Sequence, residues 1–320
     1  MSIPHNPVIL DPFRKGAVFI QSNLTFRQLR RWFGRVALTL LVTLLATQLL
    51  SYGSVVAWQT LVGPLSYTML MVLNDITIYL PCLVLIPLML RRIPRADPIP
   101  DAALSGQERF LALVFSLGSG YLFSYATIAL ISLLEQLLGQ TSSNAVSAIE
   151  SALPPVASVI AFAIVAPIAE EFIFRRLLLD RIRIFGDGAA ILIGGAAFGL
   201  FHGNLNQTLY AFALGAVFTA IVLMTNRIRY TIAIHMVING ISVLTTFGPS
   251  DWLLYPISMV ILFSVLFSIV LFFVRRKRYT FEPGPLPFTR QEKVRACFTS
   301  PWVWILLVGG LAFSGVSIFL

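Results

Sequence analysis

Residues 156–179 read VASVIAFAIVAPIAEEFIFRRLLL. The first fourteen, 156–169, carry no charge, and Glu170, Glu171, Arg175 and Arg176 follow in quick succession. As a helix rising 1.5 Å per residue, a stretch of this length crosses ~30 Å of hydrocarbon. Further along, 253–274 holds 22 residues without a single charge. The whole chain of 320 residues is 57% hydrophobic and only 12% charged, with a mean hydropathy of +0.85. A soluble domain carries about 25% charged residues, and half that number cannot coat a water-facing surface of this size. A soluble enzyme is excluded. The expected fold is an all-α, polytopic transmembrane helical bundle.

Nine spans are expected, at 36–58, 70–90, 110–134, 156–179, 189–201, 208–224, 232–247, 253–274 and 302–319. The fifth and seventh are short and are expected to extend past these ends. All 23 Lys and Arg lie before the first span, at or after the end of the fourth, or after the second, sixth and eighth. The alternate loops hold none. By the positive-inside rule this places the N-terminus in the cytoplasm and the C-terminus outside. The expected organisation is a cytoplasmic amphipathic segment over 1–35, N-terminal helices over 36–155, core helices over 156–247, and C-terminal helices over 248–320 with a basic cytoplasmic loop at 275–301.

Within the first segment, 13–33 mixes five basic residues with Phe, Leu, Ile and Trp, as an interfacial anchor on an anionic leaflet does. No basic region followed by a short apolar core and a cleavage site is evident, so the first span is expected to serve as the insertion signal. The net charge of +9 is accounted for by topology, and no nucleic-acid partner is expected. Two cysteines, Cys82 and Cys297, form neither a disulfide framework nor a CxxC pair.

Ionisable groups inside hydrocarbon are costly and mark function by default. Those singled out within or at the ends of the expected spans are Asp75, Glu170, Glu171, Arg175, His202 and His235. On a helix Glu171 and Arg175 are i and i+4 and face each other, whereas Glu170 is turned about 100° away. One carboxylate therefore has a partner in its own helix, and the other is placed to act as a general base. His235 and Asn239 share a second i, i+4 face and offer two donors of the kind that hold an oxyanion. His202 ends the fifth span, where Gly195, Gly199 and Gly203 give two overlapping GxxxG spacings suited to close helix packing. Each histidine alone reads first as an interhelical hydrogen-bonding residue, and only together with the paired glutamates as part of a site. Asp75, beside Asn74, reads as interfacial and stays outside the expected site.

The three clusters Glu170-Glu171…Arg175, Phe198…His202 and His235…Asn239 follow the order EExxxR, FxxxH, HxxxN. In this they resemble the CAAX-protease and bacteriocin-processing family of intramembrane glutamic endopeptidases, also called the Abi or type II CAAX prenyl endopeptidase-like family. The resemblance covers 156–247. It implies a bundle of about eight helices with a polar cavity open to the cytoplasm. It further implies that Glu170 activates water with His202 assisting, that His235 and Asn239 stabilise the oxyanion, and that Glu171 and Arg175 support the site. Neither an acyl-enzyme nor a cofactor is implied. The expected substrate is a membrane-associated peptide or protein, and the bacterial members point to a bacterial cell membrane and to bacteriocin processing or immunity.

The residues themselves leave alternatives. No GxSxG and no HExxH is present, but two histidines and a glutamate are also a zinc ligand set with an open fourth position. A non-catalytic scaffold or immunity protein would use the same bundle without needing an acid–base set. A proton-coupled transporter would want broken half-helices at corresponding positions, and none is seen. The shared site also carries a geometric demand. Glu170 and His235 lie near the ends of their spans, while His202 lies ~21 Å along its own. The three meet if the fourth span continues as helix beyond Arg176, through 176–184.

Overall fold

The computed structural model describes residues 24–142, 149, 151–248, 250–275 and 280–316. Ten helices carry the fold, and no strand occurs among the described residues. They are α1 (Phe26–Leu61), α2 (Tyr67–Leu90), α3 (Gly106–Leu138), α4 (Pro155–Phe185), α5 (Asp187–Phe201), α6 (Leu205–Thr225), α7 (Ile228–Thr246), α8 (Asp251–Arg275), α9 (Arg290–Phe298) and α10 (Pro301–Val316). Polar side chains set the starts. Thr25 with Gln28, Ser105 with Glu108 and Thr289 with Glu292 each form a reciprocal capping box, which satisfies backbone N–H groups that a helix start leaves open.

Each of the nine expected spans falls on a helix as far as the described residues reach, with 317–319 of the last outside them, but the count of membrane-crossing helices is lower. Seven described helices are long and apolar enough to cross, and the α9–α10 pair, bent by 64°, would make an eighth. The seventh span does extend, since α7 begins at Ile228 and reaches 19 residues. The fifth does not. Helix α5 has 15 residues, about 22 Å, short of the ~30 Å hydrocarbon core. Glycines stop it at both ends: Gly186 has φ +99° and Gly203 has φ +59°, backbone conformations that only glycine adopts at no steric cost.

The expected interfacial segment also divides differently. Residues through 23 lie outside the described residues, and Phe26–Phe33 forms the first turns of α1. Leu29 and Phe33 there are buried, and the Phe33 ring stacks on Phe185 with centroids 4.1 Å apart. The loop expected at 275–301 contains α9 and closes on the α4–α5 turn. Asp187 N–H donates to the Glu282 carbonyl at 2.9 Å, and Glu282 N–H donates to Asp187 Oδ2 at 3.0 Å.

The main buried cluster draws on α4–α7 and also on α1, α2, α3, α9 and α10. Helix α5 lies along α6 with almost no side-chain spacing. A Cβ at Gly199 would stand 2.6 Å from the Thr208 carbonyl oxygen, and one at Gly195 would stand 2.9 Å from that of Phe212. Those two glycines match the GxxxG expectation, whereas Gly203 serves the turn. Because the clash at Gly199 is with backbone, Gly199→Ala is expected to destabilise by about 1–3 kcal/mol. Gly188, where an added Cβ meets nothing within 4 Å, should tolerate alanine with little change. Thermal midpoints of the two variants in detergent would check this pair.

Helix α4 runs unbroken through Phe185, so the expected extension over 176–184 is present. Glu170 and His202 are each sixteen residues from the Gly186 turn, so the helical rise brings both to the same depth, ~24 Å. Phe174 confirms the register across this hairpin, with its ring 5.2 Å from Phe198 and 5.4 Å from Phe201, both edge-on. Along α4 the winding widens to π-helix at Val159–Val165 and again at Ile173–Leu178. The first lies just ahead of Pro167, which has no N–H to donate and whose ring crowds the preceding turn. Glu170 and Glu171 sit on the α-helical turns between the two.

Candidate active site

Four charged or titratable side chains from α4 and α7 converge in the core. Arg175 Nη1 lies 3.2 Å from Glu171 Oε1, as the i, i+4 spacing requires. His235 Nδ1 approaches the same oxygen at 3.4 Å. The other ring nitrogen, Nε2, faces Glu170 Oε2 at 3.9 Å. One imidazole is therefore bracketed by two consecutive carboxylates, although their side chains leave the helix about 100° apart. The two nitrogens lie on different edges of the ring, and each takes one of them.

The two glutamates differ in exposure. Glu171 is 0% exposed, Arg175 1% and His235 3%, whereas the Glu170 side chain keeps 19%. Glu171 is thus sealed with its counter-charge, and Glu170 is the carboxylate that an incoming molecule can reach. The seal is completed from α5 and α6. Arg175 Nη2 donates to the Gly215 carbonyl at 3.3 Å, and the guanidinium lies over the Phe198 ring at 4.6 Å and the Phe218 ring at 5.5 Å. A buried guanidinium gains both from a carboxylate and from aromatic faces.

Phe198 also links the two histidines. Its carbonyl pairs with His202 Nδ1 at 2.7 Å, and its ring lies 5.1 Å from His202 and 5.7 Å from His235. With Nδ1–H donating to that carbonyl, Nε2 of a neutral His202 is left as an acceptor. This gives FxxxH a physical reason: one residue supplies the acceptor that fixes the histidine and the ring that packs against Arg175. Among the described residues His202 makes no hydrogen bond to either glutamate, and it meets the pair through Phe198. Asn239 Nδ2 donates to the Phe162 carbonyl at 2.8 Å, tying α7 to the first π-helical stretch of α4. An amide NH₂ has a second hydrogen, which that bond leaves over.

Helix α2 adds a side that sequence reading did not include. Tyr79 Oη donates to Glu170 Oε1 at 3.4 Å. Asp75, one turn before Tyr79, lies within electrostatic reach of Glu170, on a helix whose only link to α4 is spatial. Two signals could have found it: an acid within an apolar run, and a tyrosine at i+4 on the same face. Among the described residues, no three His, Cys, Asp or Glu side chains are grouped as metal ligands would be.

Comparison with known proteins bears on this cluster directly. Residues 152–241 match the family described as type II CAAX prenyl endopeptidase Rce1-like. A relative from Bacillus subtilis (strain 168), named "Putative membrane peptidase YdiL", is 27% identical over 182 residues, which is 53% of this chain and 70% of that protein. No solved structure matches. Both matches support the CAAX-protease family, in agreement with the resemblance carried by the three motifs. The matched segment contains Glu170, Glu171, Arg175, His202, His235 and Asn239, and leaves Asp75 and Tyr79 outside it. The matches and the apolar helices together support an integral membrane peptidase.

Proposed function

We infer that this peptidase cuts a membrane-associated peptide or protein by means of water activated at Glu170. The observation that carries the reading is the bracketed imidazole, with sealed Glu171 at Nδ1 and open Glu170 at Nε2. Glu171, compensated by Arg175, orients the His235 ring. Glu170 takes a proton from the attacking water, with His202 Nε2 as an assisting acceptor. The tetrahedral oxyanion is held by His235 and by the spare Asn239 hydrogen. Collapse returns the proton to the leaving amine. General-base transfer of this kind contributes about 10²–10⁴-fold, and preorganised donors to the oxyanion contribute about 10²–10³-fold each. Tyr79 acts as a positioning residue on Glu170.

In this reading no metal takes part, the N-terminus is cytoplasmic, and the home is a bacterial cell membrane. The test is cleavage of membrane-tethered peptides by the reconstituted protein, read by mass spectrometry with and without a strong chelator. Cleavage that survives chelation and is lost in His235→Ala is expected. Loss on chelation would favour a zinc-dependent hydrolysis on the same residues. An uncut panel together with a cellular phenotype indifferent to His235→Ala would favour a scaffold or immunity protein. Tyr79→Phe is expected to lower kcat about tenfold or less while leaving KM in place, since one long hydrogen bond to a carboxylate is at stake. A change confined to KM would remove Tyr79 from its positioning role.

A further inference from the structure

Away from this site, the first turns of α1 carry Arg30, Arg31 and Arg35, and the chain leaves α2 through Arg91 and Arg92. Two adjoining clefts open among them. One is lined by Gln28, Arg31, Trp32, Arg35 and Arg92. The other joins Arg30, Arg31 and Arg35 to Leu38, Ser300 and Trp302. Arg31 and Arg35, one turn apart on α1, line both. Among the described residues, none of Arg30, Arg31, Arg35 and Arg92 pairs with an acidic side chain, in contrast to Arg175 and Arg227. Among the described residues the clefts are therefore lined by cation without a paired counter-charge.

Their level in the bundle is fixed by three elements. Helix α1 turns from basic to apolar at Val36, α2 ends its apolar run at Leu90, and α10 begins its own after the basic α9. All three changes mark the boundary of hydrocarbon, where Trp32 and Trp302 supply the amphipathic rings that favour it. The second cleft has a fixed floor. A Cβ at Gly34 would stand 2.7 Å from Ser300 Oγ, so α1 seats directly on the bend between α9 and α10.

We propose that these clefts bind the phosphate of an anionic phospholipid headgroup, with Arg31 and Arg35 shared between them and the acyl chains lying against Leu38 and Trp302. The guanidinium fork matches phosphate geometry in two parallel hydrogen bonds. Basic pockets between transmembrane helices at the membrane surface suit anionic headgroups. A free phosphate ion would use the same arginines but not Leu38 or Trp302, and those apolar residues decide for the lipid.

The test is native mass spectrometry of the full chain released from micelles containing phosphatidylglycerol and phosphatidylcholine. Wild type is expected to retain phosphatidylglycerol selectively, and the Arg31→Gln/Arg35→Gln double variant to retain it several-fold less. Arg109→Gln, an exposed arginine at the start of α3, should change nothing. If the double variant fails to fold, Arg92→Gln, on another element, gives the same readout. Equal retention by wild type and variant, or an equal loss in Arg109→Gln, would overturn the proposal. So would inorganic phosphate, added alone at millimolar concentration, displacing phosphatidylglycerol fully and binding with the same arginine dependence.

Discussion

Arg175→Met is expected to destabilise the protein by about 3–5 kcal/mol, the range for removing one partner of a buried ion pair. The reason lies in what remains. Glu171 is 0% exposed, and without Arg175 its charge would be left with the His235 ring and the Thr231 hydroxyl. The methionine would fill most of the space against Phe198 and Phe218, so lost packing is a minor part of the loss. Glu171→Gln combined with Arg175→Met should recover much of the stability, because an amide and a thioether leave no stranded charge. Unfolding midpoints of wild type, single and double variants in one detergent would check this. A single variant within about 1 kcal/mol of wild type would mean that Glu171 is not a buried anion, and the paired reading of the two glutamates would fall with it.

Glu170→Gln carries the second large effect, and it separates chemistry from stability. The side chain is 19% exposed and makes one long hydrogen bond, from Tyr79, so a glutamine of the same shape should leave the fold intact. It cannot accept the proton of water. The expected loss in kcat is therefore about 10²–10⁴-fold, the contribution of a general base, with an unchanged unfolding midpoint. Rates within a factor of two of wild type would deny Glu170 that role. The contrast with Glu171 is part of the expectation, since the sealed carboxylate should lose stability and activity together.

Much of this arrangement was legible because it is local. The i, i+4 relation of Glu171 and Arg175 follows from helix geometry alone, and the structure shows it as an ion pair at 3.2 Å. The depth of His202 matches that of Glu170 because α4 continues through 176–184, which leaves both sixteen residues from Gly186. What the sequence concealed is long-range. Glu170 reads as turned away from its neighbour, yet both reach His235, because an imidazole offers a nitrogen on each of two edges. Tyr79 meets Glu170 across 91 positions, a contact that no spacing encodes. Helix α5 reads as a span by its apolarity, but glycines at both ends limit it to 15 residues. Gly203 falls in register with two packing glycines, yet its positive φ assigns it to a turn.

The most direct measurement follows the oxygen. A tethered peptide is cleaved by the reconstituted protein in ¹⁸O-labelled water, with and without added hydroxylamine, and the new C-terminus is read by mass spectrometry. If Glu170 activates water for direct attack, each product carries a single ¹⁸O after one turnover and no hydroxamate appears. A hydroxamate product would reveal an acyl-enzyme and contradict direct attack by water.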